Sequence, residues 1–202
     1  MCPSDKPRLI LASSSPRRRE LLAEAGYQFD VIAPPHDEPD DLLGRLALAR
    51  QAEALAYFKA RSVHDAWPDR WVLGCDTIVA ARGHVMGKAR DEHHARRMLR
   101  ALSTTPHDVI SGLAVLAGPS SRIIAADVTR ITMRPMTEAE IDDYIASGEW
   151  IGKAGAYAIQ ETADRFVVRV EGSFSNVVGL PMELLERVIH ELQTNPDKHR
   201  FP

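Results

Sequence analysis

Three hydroxyls, a proline and three arginines stand in a row at Ser13-Ser14-Ser15-Pro16-Arg17-Arg18-Arg19, directly after the apolar run Leu9-Ile10-Leu11-Ala12. The apolar run reads as a buried β-strand. Ser at the N-cap and Pro at the first helical position then open a helix whose first amide N–H groups have no partner within it. Such an end attracts anions, and guanidinium forks beside it match phosphate oxygens two at a time. The segment is therefore a candidate cradle for a polyphosphate. Taken alone it fits an ordinary capped helix with a solvated basic turn equally well.

Two carboxylates stand out. Asp76 follows the apolar run Trp71-Val72-Leu73-Gly74-Cys75, where open α/β sheets place ligands, and a carboxylate there must be paired, hydrated or holding a metal. Glu38, in the acidic stretch His36-Asp37-Glu38-Pro39-Asp40-Asp41, is the natural second oxygen donor. Hard ligands of this kind suit Mg²⁺ or Mn²⁺ bound together with substrate phosphates, although a strand-end cap and a solvated acidic loop are the plainer readings. Lys88, after Gly87, and Lys153, among small residues, are candidate phosphate contacts. His93-His94 is not a ligand pair, because adjacent helical residues point about 100° apart. Ser13 to Ser15 lacks the Gly-x-Ser-x-Gly setting of a serine hydrolase.

Helical periodicity from Pro16 to Gly26, a short strand at Phe29 to Ala33 and a long Ala- and Leu-rich helix from about Asp41 to Ser62 precede the Asp76 strand. That strand ends at Asp76-Thr77 and resumes extended from Ile78 to Ala81. A helix from Asp91 to Leu102 leads to two strands, Asp108 to Leu116 and Ile123 to Arg134, joined as a hairpin through Gly118-Pro119-Ser120-Ser121. Thr137-x-x-Glu140 is a capping box for a helix ending at Gly148. Gly152 to Gln160 is too rich in small residues for a helix. A strand from Arg165 to Val170, a turn at Gly172-Ser173 and a helix from Pro181 to Leu192 follow, and residues from about 194 to 202 are expected to fray. Alternating strands and helices with a central hairpin imply an α/β protein: one domain over 1–202, a mixed sheet with helices on its faces.

Composition narrows the function. With 25 basic and 28 acidic residues the net charge is −3, so no general field draws the chain to nucleic acid or an anionic membrane. Two cysteines, Cys2 and Cys75, make neither a disulfide framework nor a zinc site, and suit the cytoplasm. No apolar stretch approaches the ~20 residues of a membrane span.

In order along the chain stand Ser13-Ser14-Ser15-Pro16-Arg17-Arg18, Asp37-Glu38, Gly74-Cys75-Asp76-Thr77, Gly87-Lys88, Lys153-Ala154-Gly155-Ala156-Tyr157-Ala158-Ile159-Gln160, and Gly172 to Pro181. Together they resemble the Maf family of nucleoside triphosphate pyrophosphatases, and six blocks in one order are far more specific than any one of them. The resemblance implies a fold similar to inosine triphosphate pyrophosphatase: a long bent mixed sheet, helices forming two lobes around a central cleft, and a homodimer. It implies hydrolysis between the α and β phosphates with a divalent metal. Asp76 would be the proton acceptor, Glu38 and Asp76 would lie at the metal, and Ser13, Arg17, Arg18, Lys88 and Lys153 would surround the phosphates.

Within that family the dTTP/UTP branch resembles this chain at Arg17, Thr77 and Gln160, where a 7-methyl-GTP branch is similar to Trp, Gln and Glu. A Gln amide offers one acceptor and one donor to the imide edge of uracil or thymine, whereas Glu only accepts. The second helix of relatives bears a Lys after a Leu-Ala run; Arg50, after Leu48-Ala49, is the expected counterpart here. The alternative function is a nucleotide-binding regulator of septum formation and cell division, which would need the basic pocket but has no evident use for Asp76 and Glu38.

Overall fold

The computed structural model describes residues 6–35, 46–160 and 162–200. Their order is β1 (Leu9–Ala12), α1 (Pro16–Glu24), β2 (Phe29–Val31), α2 (Leu48–His64), β3 (Trp71–Ala81), β4 (His84–Met86), α3 (Glu92–Leu102), β5 (His107–Ala117), β6 (Ser121–Met133), α4 (Glu138–Ser147), β7 (Val167–Glu171), α5 (Phe174–Val178) and α6 (Met182–Thr194). The expected mixed sheet is present. It has seven strands in the order β2-β1-β3-β5-β6-β7, with β4 paired to β3; β1 runs parallel to β2 and β3, and the other pairs are antiparallel.

Helices cover both faces. On one, α2 lies across β1, β3 and β5, burying Ala52, Ala56, Ala60 and Val63 against Ile10, Val72, Ile78, Ile110 and Ala114. It packs against bare backbone: a Cβ on Gly74 would sit 2.2 Å from the Ala56 carbonyl, and one on Gly112 would sit 2.0 Å from that of Ala52. On the other face two separate cores form. Leu9, Leu11, Leu22, Leu73 and Leu113 pack under α6, while Val79, Val109, Ile131 and Phe166 pack under α3 and α4.

The differences from the expected elements have local causes. α2 begins at Leu48 after extended Ala47, so residues 46 and 47 are outside the helix; the expected start at Asp41 lies outside the described residues. β3 runs unbroken through Asp76, because β5 pairs with it at every position from Trp71 to Ala81. A 3-10 turn over Thr162–Phe166 takes the start of the expected Arg165 strand, and α5 forms where only a turn was expected, with Ser173 capping the Asn176 amide. Within the segment expected to fray, Pro196–His199 form a 3-10 turn, and the Pro196 carbonyl accepts from Ser121 Oγ at 3.1 Å; residues 201 and 202 lie outside the described residues.

Candidate active site

A notch in the sheet makes the site. β1 pairs with β3 only as far as Ala12 opposite Gly74, and β4 takes up the same edge at Met86 opposite Val79. Between these limits no strand among the described residues lies beside the β3 edge, so side chains from both of its faces reach one cleft of about 1270 Å³, and Asp76, Thr77 and Ile78 line it. The β1–α1 turn forms one wall. Met86, Gly87 and Lys88 form the other.

The β1–α1 wall carries Ser13, Ser14, Ser15, Arg17 and Arg18, all lining the cleft. Ser15 is the N-cap of α1 by position, but its side chain makes no cap hydrogen bond, and Pro16 contributes no N–H. The first-turn amides of Arg17 and Arg18 are thus not closed off by a side chain. Ser13 Oγ accepts from the Ser15 amide at 3.2 Å and from Arg18 Nη1 at 3.1 Å. Arg18, only 9% exposed, also donates from Nε to the Gly179 carbonyl at 2.8 Å and from Nη2 to Thr77 Oγ1 at 3.2 Å. It ties the turn, β3 and the α5–α6 loop together while facing the cleft.

Asp76 and Thr77 point to opposite faces of β3, as successive strand residues must. Thr77 Oγ1 lies 2.8 Å from Ser111 Oγ and donates to the Gly179 carbonyl at 3.4 Å. Asp76 turns towards α2 and is 8% exposed, with Lys59 Nζ hydrogen-bonded to its Oδ1. The neighbouring Cys75 thiol donates to the Gly179 carbonyl at 3.2 Å, and burial pushes its pKa up, which keeps it a neutral thiol.

The opposite wall is stitched to the Gly152–Gln160 loop. The Gly155 amide donates to the carbonyls of Met86 at 3.2 Å and Gly87 at 3.1 Å, and Lys88 forms a β-bridge with Ala154. Lys88, Lys153 and Gln160 line the cleft from this side, with exposed Val85 and Ile151 giving it an apolar portion.

The cleft therefore gathers Ser13, Arg17, Arg18, Asp76, Thr77, Lys88, Lys153 and Gln160. Glu38 lies outside the described residues. Arg50 does not join them: it is absent from the cleft lining, its side chain is 71% exposed, and it pairs with Glu53 at 2.6 Å. The cation on α2 is Lys59, which sequence reasoning missed. A second Leu-Ala pair, Leu55-Ala56, precedes it, and Lys59 shares the helix face of Ala52, Leu55, Ala56 and Ala60. A lysine amid an otherwise buried stripe needs a buried anion beside it, and that was the available signal.

As a metal site, the described residues include no group of three His, Cys, Asp or Glu side chains. Among the described residues Asp76 is the one carboxylate that lines the cleft. A magnesium-sized cation commonly takes one or two carboxylates and fills its shell with water and substrate phosphates, and the donor chemistry here fits that pattern. No helix among the described residues is long and apolar enough to cross a membrane.

Comparison with known proteins bears on the chemistry. The family model for Maf-like proteins matches residues 8–192. A dTTP/UTP pyrophosphatase of Geobacillus sp. is 42% identical over 92% of this chain and 98% of its own length, and one of Geobacter sulfurreducens is 46% identical over 88% and 93%. Among solved structures, a HAM1 protein from Coxiella burnetii aligns with 93% of this chain and 99% of its own at 15% identity and a TM-score of 0.47, a likeness too loose to inform the chemistry.

Proposed function

The chain belongs to the Maf-like protein family, and on that premise we propose that it hydrolyses dTTP and UTP to the nucleoside monophosphate and pyrophosphate. The observation that carries this reading is the shared cleft: the Asp76 carboxylate opens into the same space as the Ser13–Arg18 turn, Lys88 and Lys153. A polyphosphate binder needs the basic wall. A water-activating carboxylate facing it is what hydrolysis adds.

In this reading Arg17, the amides at the start of α1, Lys88 and Lys153 grip the phosphate oxygens, and Arg18 keeps that turn in place. Water attacks the α-phosphorus, its proton passes to Asp76, and the bond to the bridging oxygen of the β-phosphate breaks. Cationic side chains around the leaving pyrophosphate offset the charge it gains. Lys59 holds Asp76 Oδ1 and so orients the carboxylate. A divalent cation held by Asp76, with Glu38 as the second ligand the family resemblance implies, would orient water and phosphate and neutralise developing charge. Gln160 reads the imide edge of the pyrimidine, beside apolar Val85 and Ile151. The homodimer and the cytoplasmic setting expected from the sequence belong to the same reading.

The test is a panel of nucleoside triphosphates with Mg²⁺ or Mn²⁺, reading pyrophosphate and orthophosphate separately. The reading requires pyrophosphate from dTTP and UTP above the purine triphosphates, and its loss with a chelator. Binding without release would instead favour the regulator of cell division, and orthophosphate would indicate a phosphomonoesterase.

A further inference from the structure

The loop that carries Lys153 and Gln160 is held in an unfavourable backbone conformation. Ala156 has φ of +61°, next to Gly155 at +73°, and a β-carbon in the left-handed region costs roughly 1 kcal/mol. Such a conformation persists only where its surroundings over-determine it. One half of the clamp is backbone: the Gly155 amide is held by Met86 and Gly87, and the Ala156 amide by the Lys153 carbonyl at 3.1 Å. The other half is made by side chains. The Ala158 amide donates to Tyr144 Oη at 3.3 Å, and Tyr157 Oη lies 2.8 Å from His107 Nε2 in a buried contact.

His107 belongs to none of the motifs singled out in the sequence. It begins β5, in register with Ala81 and Ile131, so its ring is fixed by a strand paired on both sides. Its Nδ1 faces the Thr105 carbonyl at 3.5 Å. A carbonyl only accepts, so the proton of the neutral ring belongs on Nδ1, and Nε2 offers its lone pair to the Tyr157 hydroxyl. The rings meet edge to face, 5.4 Å apart and inclined by 82°. Tyr157 also lines the cleft, three residues before Gln160.

From this geometry we propose that His107 is a positioning residue for base selection: through its hydrogen bond to Tyr157 it fixes the loop so that Gln160 meets the pyrimidine. This rests on the reading of Gln160 given above.

The experiment uses the full chain with Mg²⁺, steady-state kinetics on UTP and GTP, and melting temperatures for each variant. Tyr157→Phe removes one oxygen and His107→Phe keeps a ring without an acceptor. Each is expected to raise KM for UTP about tenfold and to erode the UTP-over-GTP preference by a similar factor, the order expected of one buried hydrogen bond. kcat should stay within about threefold. His107→Gln, which returns an acceptor near the place of Nε2, should recover most of the preference. Unchanged KM and preference in Tyr157→Phe and His107→Phe would overturn the proposal. So would losses equal for both triphosphates that follow melting temperature alone. Gln160→Ala is run alongside: if it lowers the preference while Tyr157→Phe does not, the positioning role fails and the reading of Gln160 stands. If Tyr157→Phe lowers the preference while Gln160→Ala leaves it intact, His107 positions the loop but another group reads the base.

Discussion

Lys59 on α2 and Asp76 on β3 form an ion pair whose side chains are only 14% and 12% exposed, at the floor of the cleft. The pair exists because α2 lies directly on the sheet backbone at Gly74, which lets a lysine one turn after Leu55 reach the strand.

Removing either partner has different consequences. Asp76→Asn keeps the volume and an oxygen that can accept from Lys59 but removes the proton acceptor, so kcat for UTP should fall by about 10²–10⁴ while stability falls less than in Lys59→Met. Lys59→Met leaves Asp76 an unpaired and largely buried carboxylate. That variant should lose both activity and stability, the latter by about 2–4 kcal/mol in urea titrations, below the full cost of a sealed pair because the cleft admits water. Parent-like activity in Lys59→Met would show that the pair does not orient the carboxylate.

Arg50 supplies the contrast. The Arg50 side chain is 71% exposed, its partner Glu53 is 14% exposed, and neither lines the cleft. Arg50→Ala should leave kcat/KM within twofold, with a stability loss of about 1 kcal/mol as the half-buried Glu53 loses this partner.

Gly74→Ala is predicted to be severe for a single methyl group. The added carbon would meet the Ala56 carbonyl and the Ala60 amide of α2, which are backbone and cannot swing aside. A loss of about 3 kcal/mol or more is expected, with activity falling as Lys59 is displaced from Asp76. A stability change under 1 kcal/mol would mean that α2 shifts freely on the sheet.

What the sequence made legible and what it hid have physical explanations. Strands such as Leu9–Ala12 and the capping box at Thr137 were readable because apolar period and cap chemistry are local. The Ser13–Arg18 turn and Lys88 were readable as candidates, since hydroxyls and cations cluster there in sequence, and they line one cleft. The notch was not readable, because it depends on where β1 stops pairing with β3 and where β4 begins, a property of register. For the same reason Asp76 read as a strand end: it is mid-strand, but it lies beyond the end of β1. Lys59 was missed because two Leu-Ala pairs recur along one helix and only packing against Gly74 selects the second. The role of Gly172 to Pro181 also needed the fold, as the Gly179 carbonyl collects Arg18 from α1 and Cys75 and Thr77 from β3, segments distant from it in the chain.

His107 predicts a pH dependence of stability. Burial lowers its pKa from 6.5 to about 4, so the unfolded chain takes up this proton more readily than the folded one. The stabilisation is complete above the unfolded value and is lost as pH falls from about 6.5 towards 4, by an amount on the order of 3 kcal/mol. Urea midpoints at pH 7.5 and 4.5 should differ less in His107→Gln than in the parent. An equal difference in the two proteins would show that other groups carry the acid sensitivity.

The site of water attack is the most direct test of the account. A single turnover of UTP in ¹⁸O-water, with excess protein and Mg²⁺, should place the label in UMP and leave the pyrophosphate unlabelled, because the account requires attack at the α-phosphorus beside Asp76. Label in pyrophosphate, or release of orthophosphate in its place, would contradict it.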